Sequence, residues 1–281
     1  MRLGRVLTFS RYEIRRAVAR KKVLAVVALT ILLDTVPYYA LSRAGLSLIP
    51  ALLHPYLWVV GVFVPQAFFL QFIALLIAAG SMSEEYEQGT AEVLLSKPVG
   101  RGEYFSGKYL GGYFLLVLVI ILNVILSVVS ATYVFGPQMG LGILPLVLLV
   151  QAFSGLVFFS FSFMVGELVR RSSLSYILSS AVFFTSQIMG IYLAIVYELT
   201  GQVTFKTISL YLPTSPVDSL PLLLAQPRLP GAVGELFRLG GLGASESSVW
   251  FSALLIVAYA VSAVVIALAY FRRVDVAKKV A

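Results

Sequence analysis

Six long apolar runs constrain the fold of this chain more than any other feature of its sequence. An α-helix needs ~20 residues, at 1.5 Å each, to cross the hydrocarbon layer of a membrane. The runs cover approximately residues 23–41, 56–80, 109–134, 142–166, 175–197 and 250–270. Because every backbone amide in lipid must be satisfied within its own segment, we expect an all-α, polytopic membrane protein with six transmembrane helices.

The composition supports a membrane protein and argues against an enzyme. Only 12% of the residues are charged, against roughly a quarter in soluble domains. There is no cysteine and one histidine, His54, which argues against a thiolate metal site or a histidine-dependent triad. Residues 102–108 match the first part of a phosphate-binding loop, but no strand precedes them and Tyr109 replaces the required Ser or Thr. We therefore predict no catalytic residue, metal or cofactor in this chain.

The placement of Lys and Arg predicts the orientation of the spans. The N-terminal segment holds eight basic residues, and the others on the same side lie in the 81–108 loop, at 170–171 and in the tail. The opposite side holds only Arg43, Lys206, Arg228 and Arg238. The positive-inside rule then places both termini in the cytoplasm of a multi-pass plasma-membrane protein. This distribution also indicates that the net charge of +8 serves contact with membrane lipid. We expect no nucleic-acid partner.

Residues 1–22 are predicted to form an amphipathic helix that lies on the membrane surface, before the transmembrane domain of residues 23–281. One face of this helix collects apolar and small side chains, namely Leu3, Val6, Leu7, Ser10, Ile14, Ala17 and Val18. A cleaved signal peptide is the competing interpretation. The basic region is longer than 20 residues and no small-x-small cleavage site follows, so we favour a retained interfacial helix.

The outer loop, residues 198–249, is the longest connection and is rich in Pro and Gly. Within it, Leu220–Ala225 is apolar but too short to span a bilayer. We expect this segment to be a re-entrant or surface-lying element that caps the outer mouth of the bundle.

The loop of residues 81–108 reads as a short helix docked on the membrane face. Gly89 is expected to end the preceding span, Thr90 to cap a new helix, and Leu94 and Leu95 to give that helix an apolar spot. Pro98 would stop it. The alternative is a solvated connector whose carboxylates, Glu84, Glu85 and Glu87, face water. The residues alone leave both interpretations open.

The same loop resembles that of type-two ABC transporter permeases. The resemblance lies in Glu85-x-x-x-Gly89-Thr90, Leu94-Leu95-Ser96-x-Pro98, Arg101-x-Glu103 and Gly107-Lys108. The stretch Leu212–Asp218 also resembles a proline-containing segment that this family carries before its last span. The resemblance implies a permease subunit, two of which pair, coupled to a separate ATPase that binds ATP and Mg²⁺, and export as the direction of transport.

This resemblance assigns ATPase coupling to ten residues of the loop. They are Glu84, Glu85, Glu87, Gly89, Thr90, Leu94, Leu95, Pro98, Arg101 and Lys108. A stand-alone secondary transporter or channel, and a membrane scaffold derived from a permease, are the alternative functions.

Polar residues at depth are the candidate pathway residues. Asp34, three residues before Pro37, is the one clear charged residue within a span, and either a wetted helix end near a kink or a substrate or ion contact would explain it. Gln66, Gln71 and Asn123 are uncharged. They are either helix-to-helix hydrogen-bonding groups or part of a substrate pathway.

Overall fold

The computed structural model describes residues 3–19, 21–44, 50–96, 100–231, 233–234 and 247–274. Every regular element in these ranges is helical. We number the α-helices in chain order: α1 Leu3–Ala19, α2 Lys21–Ala44, α3 Trp58–Pro65, α4 Gln71–Glu87, α5 Thr90–Leu95, α6 Arg101–Phe135, α7 Leu144–Val169, α8 Ser172–Thr200, α9 Val203–Leu210, α10 Thr214–Ala225 and α11 Val249–Arg273. Short 3₁₀ turns cover Ala51–Tyr56, Leu141–Ile143 and Gln226–Arg228.

Six helical segments of this part of the chain are long and apolar enough to cross a membrane, which confirms the predicted all-α, six-span fold. They are Ala25–Arg43, Trp58–Glu87, Arg101–Phe135, Leu141–Val169, Ser172–Thr200 and Val249–Arg273. Several helices extend beyond the apolar runs, chiefly at the end of the bundle where α1 lies. Residues 81–87 continue α4 and residues 101–108 begin α6, so only residues 88–100 connect these two spans.

The second span is interrupted near its middle. The helix α3 ends at Pro65, and residues Gln66–Leu70 form a π-helical turn before α4 begins. Proline has no N–H to offer the carbonyl four residues earlier, which is that of Gly61. A π-turn also leaves backbone carbonyls unpaired within the helix, and such turns are frequent at functional sites.

The N-terminal helix α1 packs along the first turns of α6. Gly107 and Gly111 lie at the contact, and a Cβ on Gly111 would come within 2.9 Å of the Ser10 carbonyl oxygen. The Ser10 hydroxyl donates to the Gly107 carbonyl oxygen at 3.1 Å. The spacing is that of the small-xxx-small packing of membrane helices, which lets two backbones approach closely. The face of α1 that packs on the protein therefore centres on Val6, Ser10 and Glu13, whereas Leu7 is exposed.

The helix α10 packs among the spans at the opposite end of the bundle, against α7 and α11. Leu220, Leu222 and Ala225 are buried there. The segment that we expected to be re-entrant or surface-lying is thus an inserted helix. The predicted outer loop also contains residues 232 and 235–246, which lie outside the described residues, as does Pro98 in the 81–108 loop.

Candidate functional site at the α1 end of the bundle

Three carboxylates near the end of α4 bond to neighbouring helices, two of them to α8 and one to α1 and α6. Glu84 accepts a hydrogen bond from the Tyr176 hydroxyl of α8 at 2.8 Å. Glu87 accepts from the backbone N–H of Ser172, the first residue of α8, at 2.8 Å. Glu85 turns instead toward α1 and α6. Glu84 and Glu85 are buried, which excludes the solvated connector in which these two carboxylates face water.

Glu85 belongs to a buried cluster of four charges, which we call the ionic cluster. Its members are Glu13, Arg16, Glu85 and Lys108. Lys108 pairs with both Glu13 and Glu85, and Arg16 also pairs with Glu85. Two acids and two bases balance, so the cluster removes no net charge from water. Buried charges are retained in proteins when paired in this manner.

Two hydroxyl groups donate further hydrogen bonds to the carboxylates of the ionic cluster. The Tyr104 hydroxyl of α6 donates to Glu85, and the Ser81 hydroxyl of α4 donates to Glu13 at 3.0 Å. The cluster therefore fastens three helices, α1, α4 and α6, at one level of the bundle. Its partners come from residues as far apart in the sequence as Glu13 and Lys108.

A second polar cluster joins the ends of α4, α7 and α11. The Tyr86 hydroxyl donates to Glu167 at 2.7 Å, and Arg170 pairs with the same carboxylate at 3.3 Å. The Arg170 guanidinium lies over the rings of Tyr86, at 4.5 Å, and Tyr270, at 5.4 Å. Arg170 has a left-handed backbone with φ of 57°, which ends α7 and turns its side chain back onto the cluster.

The helix α5 follows directly on these contacts. Gly89, with φ of 68°, provides the expected break after α4, and Glu92 lies in the first turn of α5 as the sequence indicates. The predicted cap was wrong by one residue. Gly89 occupies the N-cap position, where it has no side chain, and the Thr90 hydroxyl donates back to the Glu85 carbonyl oxygen at 3.4 Å.

The side chains of α5 divide into an inner and an outer face. Leu94 and Leu95 are partly buried against the core around Tyr104 and Phe271. Val93 points the other way, with 62% of its surface exposed. Val93 is therefore an exposed apolar side chain on a short, anchored helix, and it is available to another protein.

Two further residues of the loop motif, Arg101 and Glu103, make contacts at the start of α6. The Arg101 guanidinium donates to the Arg272 carbonyl oxygen at 3.1 Å, which links α6 to the end of α11. Glu103 accepts from the Gly100 N–H at 3.3 Å and so caps α6. Of the ten predicted coupling residues, the structure brings Glu85 and Lys108 together and distributes the other described ones around α5.

The candidate pathway residues lie farther from α1. Asp34 is 1% exposed, and both its carboxylate oxygens accept from the Asn123 side-chain amide, at 2.8 and 3.0 Å. The interpretation of Asp34 as a wetted helix end is wrong, because α2 continues to Ala44 and Asn123 replaces water as the donor. The structure therefore joins Asp34 and Asn123.

Side-chain amides from three other helices satisfy carbonyls at the break in the second span. Asn123 approaches the Gly61 carbonyl oxygen at 3.4 Å, Gln151 donates to that of Val62 at 3.1 Å, and Gln187 to that of Ala67 at 3.0 Å. These are helix-to-helix hydrogen bonds. Gln66 and Gln71 are buried as well, and neither side-chain amide atom of Gln66 has a hydrogen-bond partner among the described residues. The Oε1 atom of Gln71 also lacks one there, as do the Asn123 Oδ1 and Gln151 Oε1 atoms.

The sequence reasoning missed several residues of the site. Glu13, Tyr104, Tyr86 and Glu167 are polar groups whose partners lie on other helices, and no local pattern marks them. The position of Glu13 could have indicated its role, because it lies three residues after Ser10 and seven after Val6, on the packed face of α1. An acid on that face indicates a partner on the helix opposite.

A comparison with family models decides the family. The model described as "ABC-2 family transporter protein" matches residues 7–276. The chain belongs to the ABC-2 transporter family. No curated protein matches the chain. Membership of the ABC-2 family makes the chain a multi-pass membrane protein and a permease, the membrane transport subunit of an ABC transporter. It also implies partnership with an ATP-binding cassette ATPase.

The proline-containing stretch that contributes to the resemblance begins α10. Its Thr214 hydroxyl bonds to that of Ser186 in α8 at 2.9 Å. The Oδ1 atom of Asp218 is shielded from solvent and has no hydrogen-bond partner among the described residues. In this ABC-2 chain the stretch therefore inserts a helix among the spans.

Proposed function

We propose that this ABC-2 permease is an exporter subunit whose α5 docks on a separate ATPase that binds ATP and Mg²⁺. In this proposal α5 and both termini face the cytoplasm, and the chain lies in the plasma membrane. One observation carries the proposal. The short helix α5, with its exposed Val93, follows directly on a helix end that Glu84, Glu85 and Glu87 tie to α1, α6 and α8.

The contacts around α5 suit it to transmit movement. Leu94 and Leu95 fix it to the core from inside, and the ionic cluster fixes the end of α4 that precedes it. Close-packed, paired groups of this kind move together because they are not continuously deformable. A partner that pushes on α5 would therefore move α1, α4 and α6 as one unit.

The break at Pro65 gives this unit a place to pivot. The π-turn Gln66–Leu70 lies between α3 and α4, and the Gln187 side-chain amide donates to the carbonyl oxygen of Ala67 in this turn. Helix ends and irregular turns absorb the dihedral changes of hinge motion. In the proposed mechanism, ATP-driven closure of the ATPases tilts α4, the part of the second span nearest α1, relative to α3.

The structure of residues 102–108, which resemble part of a phosphate-binding loop, supports the proposal that ATP binds to the partner ATPase. Residues 102–108 are helical, and the Lys108 ammonium is engaged by Glu13 and Glu85. A nucleotide phosphate would have to displace both carboxylates. The Lys108 pairing supports a division of labour in which hydrolysis occurs on another chain.

Pairing with a second permease chain, with substrate between the two, is the remaining part of the proposal. The helix α8 carries a long exposed apolar face. Its large exposed side chains include Ile177, Ile188, Ile191, Tyr192 and Ile195. Such a face suits lipid or the equivalent face of a partner chain, and it would suit both in a dimer whose interface opens during transport.

A matched pair of substitutions tests the docking of α5. Val93 and Val203 are exposed valines, at 62% and 65%, on short helices at opposite ends of the bundle. We expect Val93→Asp to abolish co-purification with an ATPase encoded beside this chain, and Val203→Asp to leave it intact. Equal recovery of the ATPase with both variants would overturn the proposal. Glu85→Ala is less informative, because it also breaks the ionic cluster.

A further inference from the structure

A cavity of about 460 Å³ lies beside the ionic cluster. It is partly open to the protein surface and is lined from five helices, α1, α2, α4, α6 and α8. The volume falls within the roughly 300–1,000 Å³ of pockets that hold small molecules. The Glu84–Tyr176 and Ser81–Glu13 hydrogen bonds lie in its wall, and the mechanism proposed for α5 gives the cavity itself no role.

The lining of the cavity is divided by polarity. Its apolar part consists of side chains from the first three spans, namely Ala25, Val26, Leu29, Leu76, Ile77 and Leu115. Its polar part is contributed by Glu13, Arg16, Ser81, Glu84 and Tyr176 at the α1 end. A ligand that fills this space needs a hydrocarbon portion along the spans and a polar group at the level of α1.

Arg16 indicates the chemistry of that polar group. One of its terminal nitrogens pairs with Glu85, whereas the other, Nη2, is buried with no hydrogen-bond partner among the described residues. A buried donor left unpaired is costly, and guanidinium groups bind phosphate oxygens in particular. The amine or hydroxyl groups that follow the phosphate in lipid headgroups would meet Glu84 and the Tyr176 hydroxyl, which also line the cavity.

We propose that the cavity binds one resident phospholipid by its phosphate and one acyl chain, with the phosphate on Arg16, that chain between α2 and α4, and the second chain outside the cavity on its open side. The proposal does not depend on the docking of α5. A bound phospholipid would fill the gap between α1 and the spans, and would satisfy the last donor of the arginine that anchors the ionic cluster. The lipid acts here as a structural ligand of a single chain.

The chain offers a matched pair of alanines for the test. Ala25 lines the cavity, and Ala28, one turn farther along α2, is exposed and does not. Phenylalanine at residue 25 would occupy part of the site, whereas phenylalanine at residue 28 would lie outside the cavity lining. Arg16→Lys is a second probe. It keeps a cation for Glu85 and removes the second terminal nitrogen.

Native mass spectrometry counts the phospholipids bound to the purified chain in dodecyl maltoside. The chain is first delipidated, and phosphatidylethanolamine and phosphatidylglycerol are then added back. We expect one retained or rebound phospholipid in the wild type and in Ala28→Phe, loss of it in Ala25→Phe, and about tenfold weaker rebinding in Arg16→Lys, as for loss of one charge-assisted hydrogen bond. The wild-type thermal midpoint should rise with phospholipid and not with inorganic phosphate or more detergent.

Three results would overturn the proposal. They are a wild type that binds no phospholipid above the level of Ala25→Phe, stabilisation by inorganic phosphate equal to that by phospholipid, and stabilisation by detergent alone. The wild-type comparison of additives stands even if Ala25→Phe does not fold. Retention of the lipid after exchange of the bulk membrane composition identifies it as resident. A fourth result, depletion of the lipid during ATP-driven turnover, would show that it is cargo and would also overturn the proposal.

Discussion

Glu85 and Lys108 form a fully buried ion pair, with 2.5 Å between the Glu85 Oε1 and Lys108 Nζ atoms, at the junction of α4 and α6. Lys108 also pairs with Glu13 of α1. Three helices that are distant in the sequence therefore meet through one ammonium group. Glu85 lies near the end of α4, shortly before α5. A change that destabilises this junction is therefore also expected to weaken the proposed coupling.

Replacing Lys108 should damage the junction severely. Lys108→Met leaves Glu13 and Glu85 with only Arg16 as a cation, and breaking a buried pair by removing one partner costs about 3–5 kcal/mol. The unfolding free energy of the purified protein in detergent measures this. Glu13→Gln combined with Lys108→Met restores charge balance through the Arg16–Glu85 pair. The double variant should recover a large part of the loss, and no recovery would contradict the balanced cluster.

The packing of α1 on α6 should be sensitive to a single methyl group. Gly111→Ala would place a Cβ within 3.0 Å of Ser10 backbone atoms, whereas at Gly102, in the first turn of the same helix, no atom lies within 4 Å. We expect Gly111→Ala to lower the thermal midpoint, and Gly102→Ala to keep or raise it, since alanine favours helix by up to roughly 1 kcal/mol.

The displacement of α1 can be observed directly, because the chain contains no cysteine. In a Phe9→Cys background, maleimide should label residue 9 faster when Gly111→Ala is also present, and at an unchanged rate with Gly102→Ala. Identical labelling in all three proteins would show that α1 does not depend on this contact.

The pair of Asp34 and Asn123 should behave as a unit. Asn123→Leu removes the side-chain donor that both Asp34 oxygens use, and an unsatisfied buried acceptor costs about 1–3 kcal/mol, or more when charged. Asp34→Asn in the Asn123→Leu background should restore part of the unfolding free energy. If the two substitutions destabilise the protein additively, the hydrogen bonds between them are not significant.

The break at Pro65 should matter for turnover more than for stability. Pro65→Ala supplies an N–H for the Gly61 carbonyl oxygen and favours a continuous helix, so we expect an equal or higher thermal midpoint and slower ATP hydrolysis by the assembled complex. Pro37→Ala, in α2, is the control, because α2 has no π-turn. Unchanged hydrolysis with Pro65→Ala would exclude a pivot at this position.

The six spans follow from the sequence because the bilayer imposes one length and one secondary structure on each apolar run. The break at Gly89 also follows, since it depends on a local backbone preference. The ionic cluster does not follow. Glu85 and Lys108 stand in a charged loop for which the sequence leaves a docked helix and a solvated connector both open. In the structure, α1 packs on α6 at Gly107 and Gly111, and both side chains are buried.

The same reason explains why the sequence could not exclude a wetted helix end at Asp34. An acid three residues before a proline is typical of a helix end, and its sequence neighbours give no sign of Asn123, which lies 89 residues away. Pairings of this kind are non-local, so a single sequence contains no pattern that specifies them. The resemblance of residues 85–108 to the ABC-2 loop indicated a candidate site without revealing its internal bonds.

Side-specific labelling of Val93→Cys and Val203→Cys tests the central claim most directly. In intact cells, a membrane-impermeant maleimide should label residue 203 and leave residue 93 unlabelled. After the cells are opened, residue 93 should react, and the co-expressed ATPase should protect it while residue 203 stays reactive. Labelling of residue 93 from outside, or no protection by an ATPase that copurifies with the chain, would contradict α5 as its cytoplasmic docking helix.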